Sequence, residues 1–285
     1  MNIVITGASG FLGEACLNQA TNIDFSNIFA VTRSSTLVRK IKNFNVVNQL
    51  DDLCGINKVD LLIHTAAATP NNSPPNAIKN LNILIDGKLS SFIKSNFIAH
   101  VVYISSMSDY GNIKDPIINE FTVPDNPSEY GKSKLLGEQS VGLACRKSSS
   151  RFTVLRSPGI VGLNMSTVFF KRCFEQIKKG FIVEIPSEDS LFNNAIFVDD
   201  IFLTCLNAFH SQMTDTAVVN LHSKDILLLT TFIDNIASSI GIPAEIIINS
   251  SLPHSFIISN EKTGYILKTR NLHEIIKSFS DQNLQ

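Results

Sequence analysis

Asn-Ile-Val-Ile-Thr-Gly-Ala-Ser-Gly-Phe-Leu-Gly, residues 2–13, runs an apolar strand straight into glycines at Gly7, Gly10 and Gly13. An amphipathic pattern follows at once. A strand, a glycine turn and a helix N-terminus in that order make a phosphate cradle. Gly7 permits the tight turn, Gly10 lets a pyrophosphate approach the backbone, and Gly13 lets the helix pack close to the strand. The helix start then offers unpaired N–H groups and positive dipole charge to the phosphates. Three glycines alone would be an ordinary turn; the flanking strand and helix turn the reading to nucleotide binding.

The rest of the chain is consistent with a large globular core. It has 285 residues, 44% of them hydrophobic, and 24 basic residues balance 25 acidic ones. Without a basic run, a nucleic-acid or polybasic membrane surface is not expected. Cys16, Cys54, Cys145, Cys173 and Cys205 lie far apart with no metal-like spacing. No metal site is expected, and buried reduced thiols suit a cytosol. With a strand expected from Asn2 and no apolar run of membrane-spanning length, the expectation is a cytoplasmic protein without signal peptide or membrane anchor.

Short apolar runs alternate with helical patterns through the first half. Strands are expected over 2–6, 27–32, 45–50, 60–65, 100–105 and 152–156, and helices over 11–21, 36–43, 76–96 and 129–147. Such alternation predicts an α/β fold, a Rossmann-like doubly wound parallel sheet with helices on both faces. Polar linkers at 69–75 and 114–127 follow strand ends, the edge where open sheets bind ligands. The first 158 residues are read as the dinucleotide-binding domain. Residues 159–285 are read as a smaller substrate-binding lobe, with sheet-completing elements near 195–222. There the pattern gives helices over 167–179, 199–208, 230–240 and 270–279, and strands over 195–198, 217–221 and 245–248.

Tyr130 and Lys134 open the helix after the fifth strand and, four apart, share one face. A free phenol titrates too high for acid–base work at neutral pH. A neighbouring ammonium and an oxidised nicotinamide would both bring it down. Ser106, 24 residues earlier, ends the buried run Val101-Val102-Tyr103-Ile104-Ser105. A serine there can hydrogen-bond a substrate oxygen whose charge grows during hydride transfer. Taken singly, a surface tyrosine, a solvated lysine and a turn serine would be the default readings.

Together these segments resemble the extended short-chain dehydrogenase/reductase family, which contains nucleotide-sugar epimerases, dehydratases and ketoreductases. The resemblance runs to about Ile201 and is carried by six motifs in order: residues 6–13, 63–67, 105–111, 130–134, 156–158 and 197–200. It implies a catalytic set of Ser106, Tyr130 and Lys134. It also places Asn82 where relatives carry an asparagine that helps hold the lysine's proton relay, although Asn80 is two residues away. Cofactor contacts implied by the same motifs are Gly7, Ser9, Gly10, Phe11, Leu12, Gly13, Ala66, Tyr130, Lys134 and Ser157. Asp51 or Asp52 would bond the adenine as in relatives, unless it is ordinary turn chemistry.

The second strand ends Val31-Thr32-Arg33-Ser34-Ser35, without the carboxylate that would accept the ribose hydroxyls of NAD(H). Arg33 offers a planar fork for a 2′-phosphate, and Ser34 a hydroxyl donor, so NADP(H) is favoured and NAD(H) stays open. Dehydratases carry an Asp-Glu pair after the hydroxyl residue, and this chain has Met107 and Ser108 there. Reduction of a keto group on a nucleotide-linked sugar is therefore expected, with Tyr130 as the acid. Epimerisation with retained cofactor, reduction of a non-sugar carbonyl compound and a non-catalytic redox sensor are the alternatives.

Nucleotide-sugar relatives present an arginine before the 195–198 strand, where this chain has Asn193-Asn194. Arg156, Lys171, Arg172 and Arg270 are candidate substitutes for the diphosphate contact. His64 is expected to pack beside the cofactor. Apolar Ile78, Leu81, Ile85, Leu89 and Phe92 make a stripe on the 76–96 helix. That helix and the 129–147 helix are the ones through which many relatives dimerise as a four-helix bundle.

Overall fold

The computed structural model describes residues 1–23, 25–33, 44–53, 55–56, 58–166, 168–211, 216–260 and 264–283. Ser34, Cys54 and the helix expected over 36–43 lie outside the described residues. The chain divides into two compact units. The first comprises Met1–Asn112, Val123–Arg156 and Phe202–Val219, and the second Ile113–Thr122, Ser157–Ile201 and Asn220–Gln285.

The first unit is built on β1 (Asn2–Thr6), α1 (Phe11–Ala20), β2 (Asn27–Val31), β3 (Asn45–Val47), β4 (Val59–His64), α2 (Pro75–Ser95), β5 (Ile98–Ser106) and α3 (Glu129–Lys147). With β6 (Arg151–Ser157) and β7 (Thr216–Asn220) they form a seven-stranded parallel sheet flanked by helices, in the order β7-β6-β5-β4-β1-β2-β3. This is the doubly wound fold expected. From β1 the chain winds outwards through β2 and β3, then crosses back to lay β4 on the other side of β1. That reversal opens the crevice in which such sheets bind ligands. Thr6 pairs with Val31 on one side and His64 on the other, so three strand ends finish level.

The central strands read as near-continuous apolar runs because both faces are covered. Ile3, Val4, Ile5, Leu61, Leu62 and Ile63 are all fully buried. β3 is shorter than the strand expected over 45–50, because Leu50–Leu53 turn into a 3-10 helix. Asp52, which accepts from the backbone N–H groups of Asn48 and Gln49, stabilises that turn. α3 is capped by Ser128, whose hydroxyl accepts from the Gly131 N–H at 3.2 Å. Glu129 in its first turn and Arg146 and Lys147 in its last complement the helix dipole.

The second unit has its own core. Phe192 and Phe232 lie 4.4 Å apart by ring centroid, and Phe279 meets Phe170 and Phe174 edge-on at 5.0 and 5.1 Å. These rings belong to the helices Phe169–Lys178, Leu229–Ile240 and Leu272–Asn283 and to the short strand Leu191–Phe192. Two-residue and three-residue strand pairs, such as Gly159–Val161 with Ala195–Phe197, complete it. Several, including Ile117–Ile118 and Val183–Ile185, are too short to give a period in the sequence. Among the described residues no helix is long and apolar enough to cross a membrane.

Candidate active site

The glycine turn has the geometry of a cradle. Gly7 adopts φ +67°, and a Cβ there would lie 2.7 Å from the Ala66 backbone, so only glycine fits between β1 and the segment leaving β4. A Cβ on Gly13 would run into the Gly7 carbonyl, and one on Gly10 would stand 3.2 Å from the same oxygen. Gly10 caps α1 without any side-chain acceptor, leaving first-turn N–H groups to an outside anion. Ser9 and Gly10 are exposed, while Phe11 and Leu12 are half-buried and Gly13 is buried. Thr65 ties the two loops together by donating both its hydroxyl (2.7 Å) and its N–H (3.3 Å) to the Thr6 carbonyl. These residues fit the diphosphate of a dinucleotide.

Ser106 ends β5, and its hydroxyl accepts from the Ser108 N–H at 3.1 Å. The Ser106 hydroxyl is close enough to the Tyr130 phenol to act on its titration. Gly131 makes this approach possible, because a side chain there would strike the Ser108 carbonyl. The tyrosine–glycine pair is thus a packing requirement as well as a chemical one. Burial, and secondarily the nearby Asp109, push the Tyr130 phenol up to about 12, opposed by the Ser106 hydroxyl. Lys134 does not direct its ammonium at the phenol.

Lys134 is instead fully sequestered inside the unit. Its Nζ donates to the Tyr103 hydroxyl at 2.8 Å and sits 3.9 Å above that ring. Tyr103 donates in turn to Asp86 at 3.1 Å. The second Asp86 oxygen lies 3.3 Å from His64 Nε2, while His64 Nδ1 is 2.7 Å from the Thr6 hydroxyl. His64 is thus buried at the end of β4 between Asp86 and Thr6, its pKa lowered by burial against the pull of Asp86. Asn82 anchors the segment that follows β4. Its amide accepts from Ala68 N–H (2.7 Å) and donates to the Ala68 carbonyl (3.0 Å) and the Ser133 hydroxyl (2.8 Å). It fastens the loop after β4 to α3.

Sequence reasoning missed a second buried cluster. The Ser105 hydroxyl donates to Asp109 Oδ2 at 2.7 Å, and Arg156 grips Glu138 with a fork of 3.0 and 2.7 Å. Arg156 also donates to the Tyr110 hydroxyl at 2.8 Å. Burial, then the Glu138 carboxylate, push Asp109 up to about 9. At neutral pH it is the protonated member of the Asp109–Glu138 pair; its Oδ2 accepts from Ser105, and its Oδ1 has no hydrogen-bond partner. The available signal was Asp109 itself, a carboxylate placed directly after a buried apolar strand.

The other anticipated residues divide. Arg33 is exposed just beyond β2, and Asp51 is exposed in the 3-10 turn; Asp52 is the one that performs turn chemistry. Ala66 lines the glycine turn. Ser157 is buried at the end of β6 and donates to the Pro158 carbonyl at 3.1 Å. Asn193 is fully buried and exchanges two hydrogen bonds with the Ile258 backbone (2.7 and 2.9 Å), a structural latch. The candidate diphosphate cations are engaged: Arg156 by Glu138, Lys171 by the Met165 carbonyl, and Arg270 by Asp200 at 2.8 Å while stacked on Phe197. Arg172 lies over the Phe169 ring.

The profile of the NAD dependent epimerase/dehydratase family matches residues 3–211. A GDP-6-deoxy-D-talose 4-dehydrogenase of Aggregatibacter actinomycetemcomitans is 25% identical over 203 residues, 67% of this chain and 64% of the relative. An uncharacterized protein of Sinorhizobium fredii is 24% identical over 218 residues, covering 72% of this chain and 52% of its own length. The chain thus spans between half and two thirds of the curated relatives it matches. Among solved structures, UDP-glucuronic acid 4-epimerase from Bacillus cereus in complex with NAD superposes with a TM-score of 0.81 at 18% identity, covering 100% of this chain and 99% of that one.

Proposed function

We propose, given that the chain belongs to the NAD dependent epimerase/dehydratase family, that it reduces a keto group on a nucleotide-linked sugar. The dinucleotide, held at the glycine cradle by its diphosphate, supplies the hydride. Tyr130 donates the proton to the nascent alkoxide, and Ser106 steadies the carbonyl oxygen by hydrogen bonding. Lys134 holds the nicotinamide ribose. Recognition of the sugar and its nucleotide is assigned to the second compact unit.

The observation that carries this reading is the Tyr130–Ser106 pair at the C-terminal edge of the sheet. A phenol pushed up to about 12 stays protonated throughout the working range. That is the form needed for reduction, where the tyrosine acts as an acid. The matched GDP-6-deoxy-D-talose 4-dehydrogenase, named for hydride transfer at a sugar carbon of a nucleotide sugar, supports the same class of chemistry. Met107 and Ser108 stand where elimination would need an acid and a base, so a dehydratase is disfavoured.

The matched epimerase structure supports a second reading, in which the same residues oxidise and then re-reduce one carbon with NAD retained. Arg33 at the end of β2 favours NADP(H), which is released every cycle, over a retained NAD(H). The buried reduced thiols of Cys16, Cys145, Cys173 and Cys205 suit the cytoplasm. A second copy of the chain is the proposed partner. Leu81, Ile83 and Leu84 on α2, with Leu136 and Leu143 on α3, are exposed apolar residues on the two helices that pack together.

The test is a panel of keto-sugar nucleotides with NADPH and NADH, followed by the loss of reduced-nicotinamide absorbance. Consumption of cofactor with one of them supports reduction. Cofactor binding without consumption, or tightly retained NAD with interconversion of epimers, overturns it.

A further inference from the structure

We propose that Tyr103 and Asp86 are positioning residues for Lys134. Together they hold its ammonium at the junction of α2, β5 and α3 and supply the carboxylate that keeps it charged. The proposal rests on the reading that Lys134 meets the ribose of a bound dinucleotide.

A lysine buried as deeply as Lys134 is driven towards its neutral form unless a negative charge accompanies it. Three carboxyls act on it electrostatically: Asp86, Asp109 and Glu138. Glu138 is already forked by Arg156, and Asp109 holds the proton it shares with Glu138. Asp86 alone of the three is joined to the ammonium by hydrogen bonds, through the Tyr103 hydroxyl. That hydroxyl has one proton and uses it on Asp86, so its lone pair is left to receive the ammonium.

The seat is built from several elements at once. The Tyr103 ring is stacked on His64 with centroids 5.5 Å apart and 14° between planes. His64 faces the second Asp86 oxygen and is itself tied to Thr6. On α3, Gly137 stands one turn past Lys134; a side chain there would strike both the Tyr103 hydroxyl and the Asp86 carboxylate. The helix therefore gives up a side chain where the pair needs room. The groups facing Lys134 are thus His64 from β4, Asp86 from α2, Tyr103 from β5, Asp109 from the turn after β5, and Glu138 from α3, with Arg156 of β6 behind the last two.

The test measures Kd for NADPH and NADH by nicotinamide fluorescence across pH, in the wild type, Asp86→Asn, Tyr103→Phe and Lys134→Met, with circular dichroism to verify folding. Wild-type affinity is expected to fall as pH rises through the Lys134 ammonium's titration. Asp86→Asn and Tyr103→Phe should move that fall down by about one pH unit, which is a tenfold weaker affinity on the alkaline side and near-equal affinity on the acid side. Adding either change to Lys134→Met should weaken binding no further, since the effect runs through the lysine. A loss that is equal at every pH, or that persists undiminished beside Lys134→Met, overturns the proposal. If Asp86→Asn does not fold, Tyr103→Phe, which keeps the ring, decides alone. A wild type that takes up neither dinucleotide overturns instead the functional reading beneath it.

Discussion

Replacing Asp109 by an asparagine should remove a pH dependence of stability that the wild type carries. An ordinary aspartate titrates at 3.8, and Asp109 is pushed up to about 9 in the fold, chiefly by burial and then by Glu138. Above about pH 4 the unfolded chain has lost this proton, while the native state keeps it until about pH 9. The native state binds one more proton throughout that window, so this group makes stability fall as pH rises. The slope for one proton is about 1.4 kcal/mol per pH unit. Glu138 behaves oppositely: burial alone would raise its pKa, but the Arg156 fork outweighs that and lowers it. Its contribution is lost only as pH falls through its folded value, so between about pH 5 and 8 it adds no slope.

In the Asp109→Asn variant the new amide oxygen can still accept from Ser105, so the cluster keeps that bond and loses the titrating proton. Over three pH units the wild type should lose about 4 kcal/mol more than Asp109→Asn, an upper figure. For a chain of this size that is roughly 8 °C in Tm. Thermal melts of both proteins at about pH 5, 6, 7 and 8 supply the difference, and every other titrating group cancels between them. Parallel Tm curves, differing by less than about 2 °C in slope over the range, would refute the shared-proton assignment.

Gly13→Ala should weaken dinucleotide binding by about tenfold to a hundredfold, because its Cβ displaces the Gly7 carbonyl at a cost of about 1–3 kcal/mol. Calorimetric titration measures it, and unchanged affinity would disprove the cradle. Arg33→Ala should weaken NADPH about tenfold or more and leave NADH nearly unchanged. If the wild type binds NADH as tightly as NADPH, the 2′-phosphate assignment is wrong. Leu84→Glu combined with Leu143→Glu should convert a dimer to a monomer by light scattering; a wild type that already runs as a monomer ends that proposal.

The glycine cradle was legible because it depends on local sequence. Gly7, Gly10 and Gly13 announce close backbone approach, and a strand followed by a helix fixes where they lie. The partners of Lys134 were not legible. Asp86 and Tyr103 meet it only after α2, β5 and α3 have packed, and no sequence spacing encodes that meeting. The expected α2 stripe illustrates the same limit. Burial falls on Ile78, Asn82, Asp86, Leu89, Phe92 and Ile93, while Leu81 turns outward. Hydrogen bonds to Ala68, Ser133 and Tyr103 satisfy two polar residues on the inner face, and the helix turns its apolar surplus to the outside. The carboxylate partners of Arg156 and Arg270 come from elements distant in sequence, so those ion pairs could not be read from spacing. Asn193 was likewise read for a missing charge, whereas its amide copies a peptide group against Ile258.

The most direct test of the catalytic assignment is the single-turnover rate of Tyr130→Phe beside the wild type, with NADPH affinity measured on the same samples. Hydride transfer is expected to be slower by about a hundredfold to ten-thousandfold, with Kd within about twofold. A variant that consumes cofactor at the wild-type rate would contradict it.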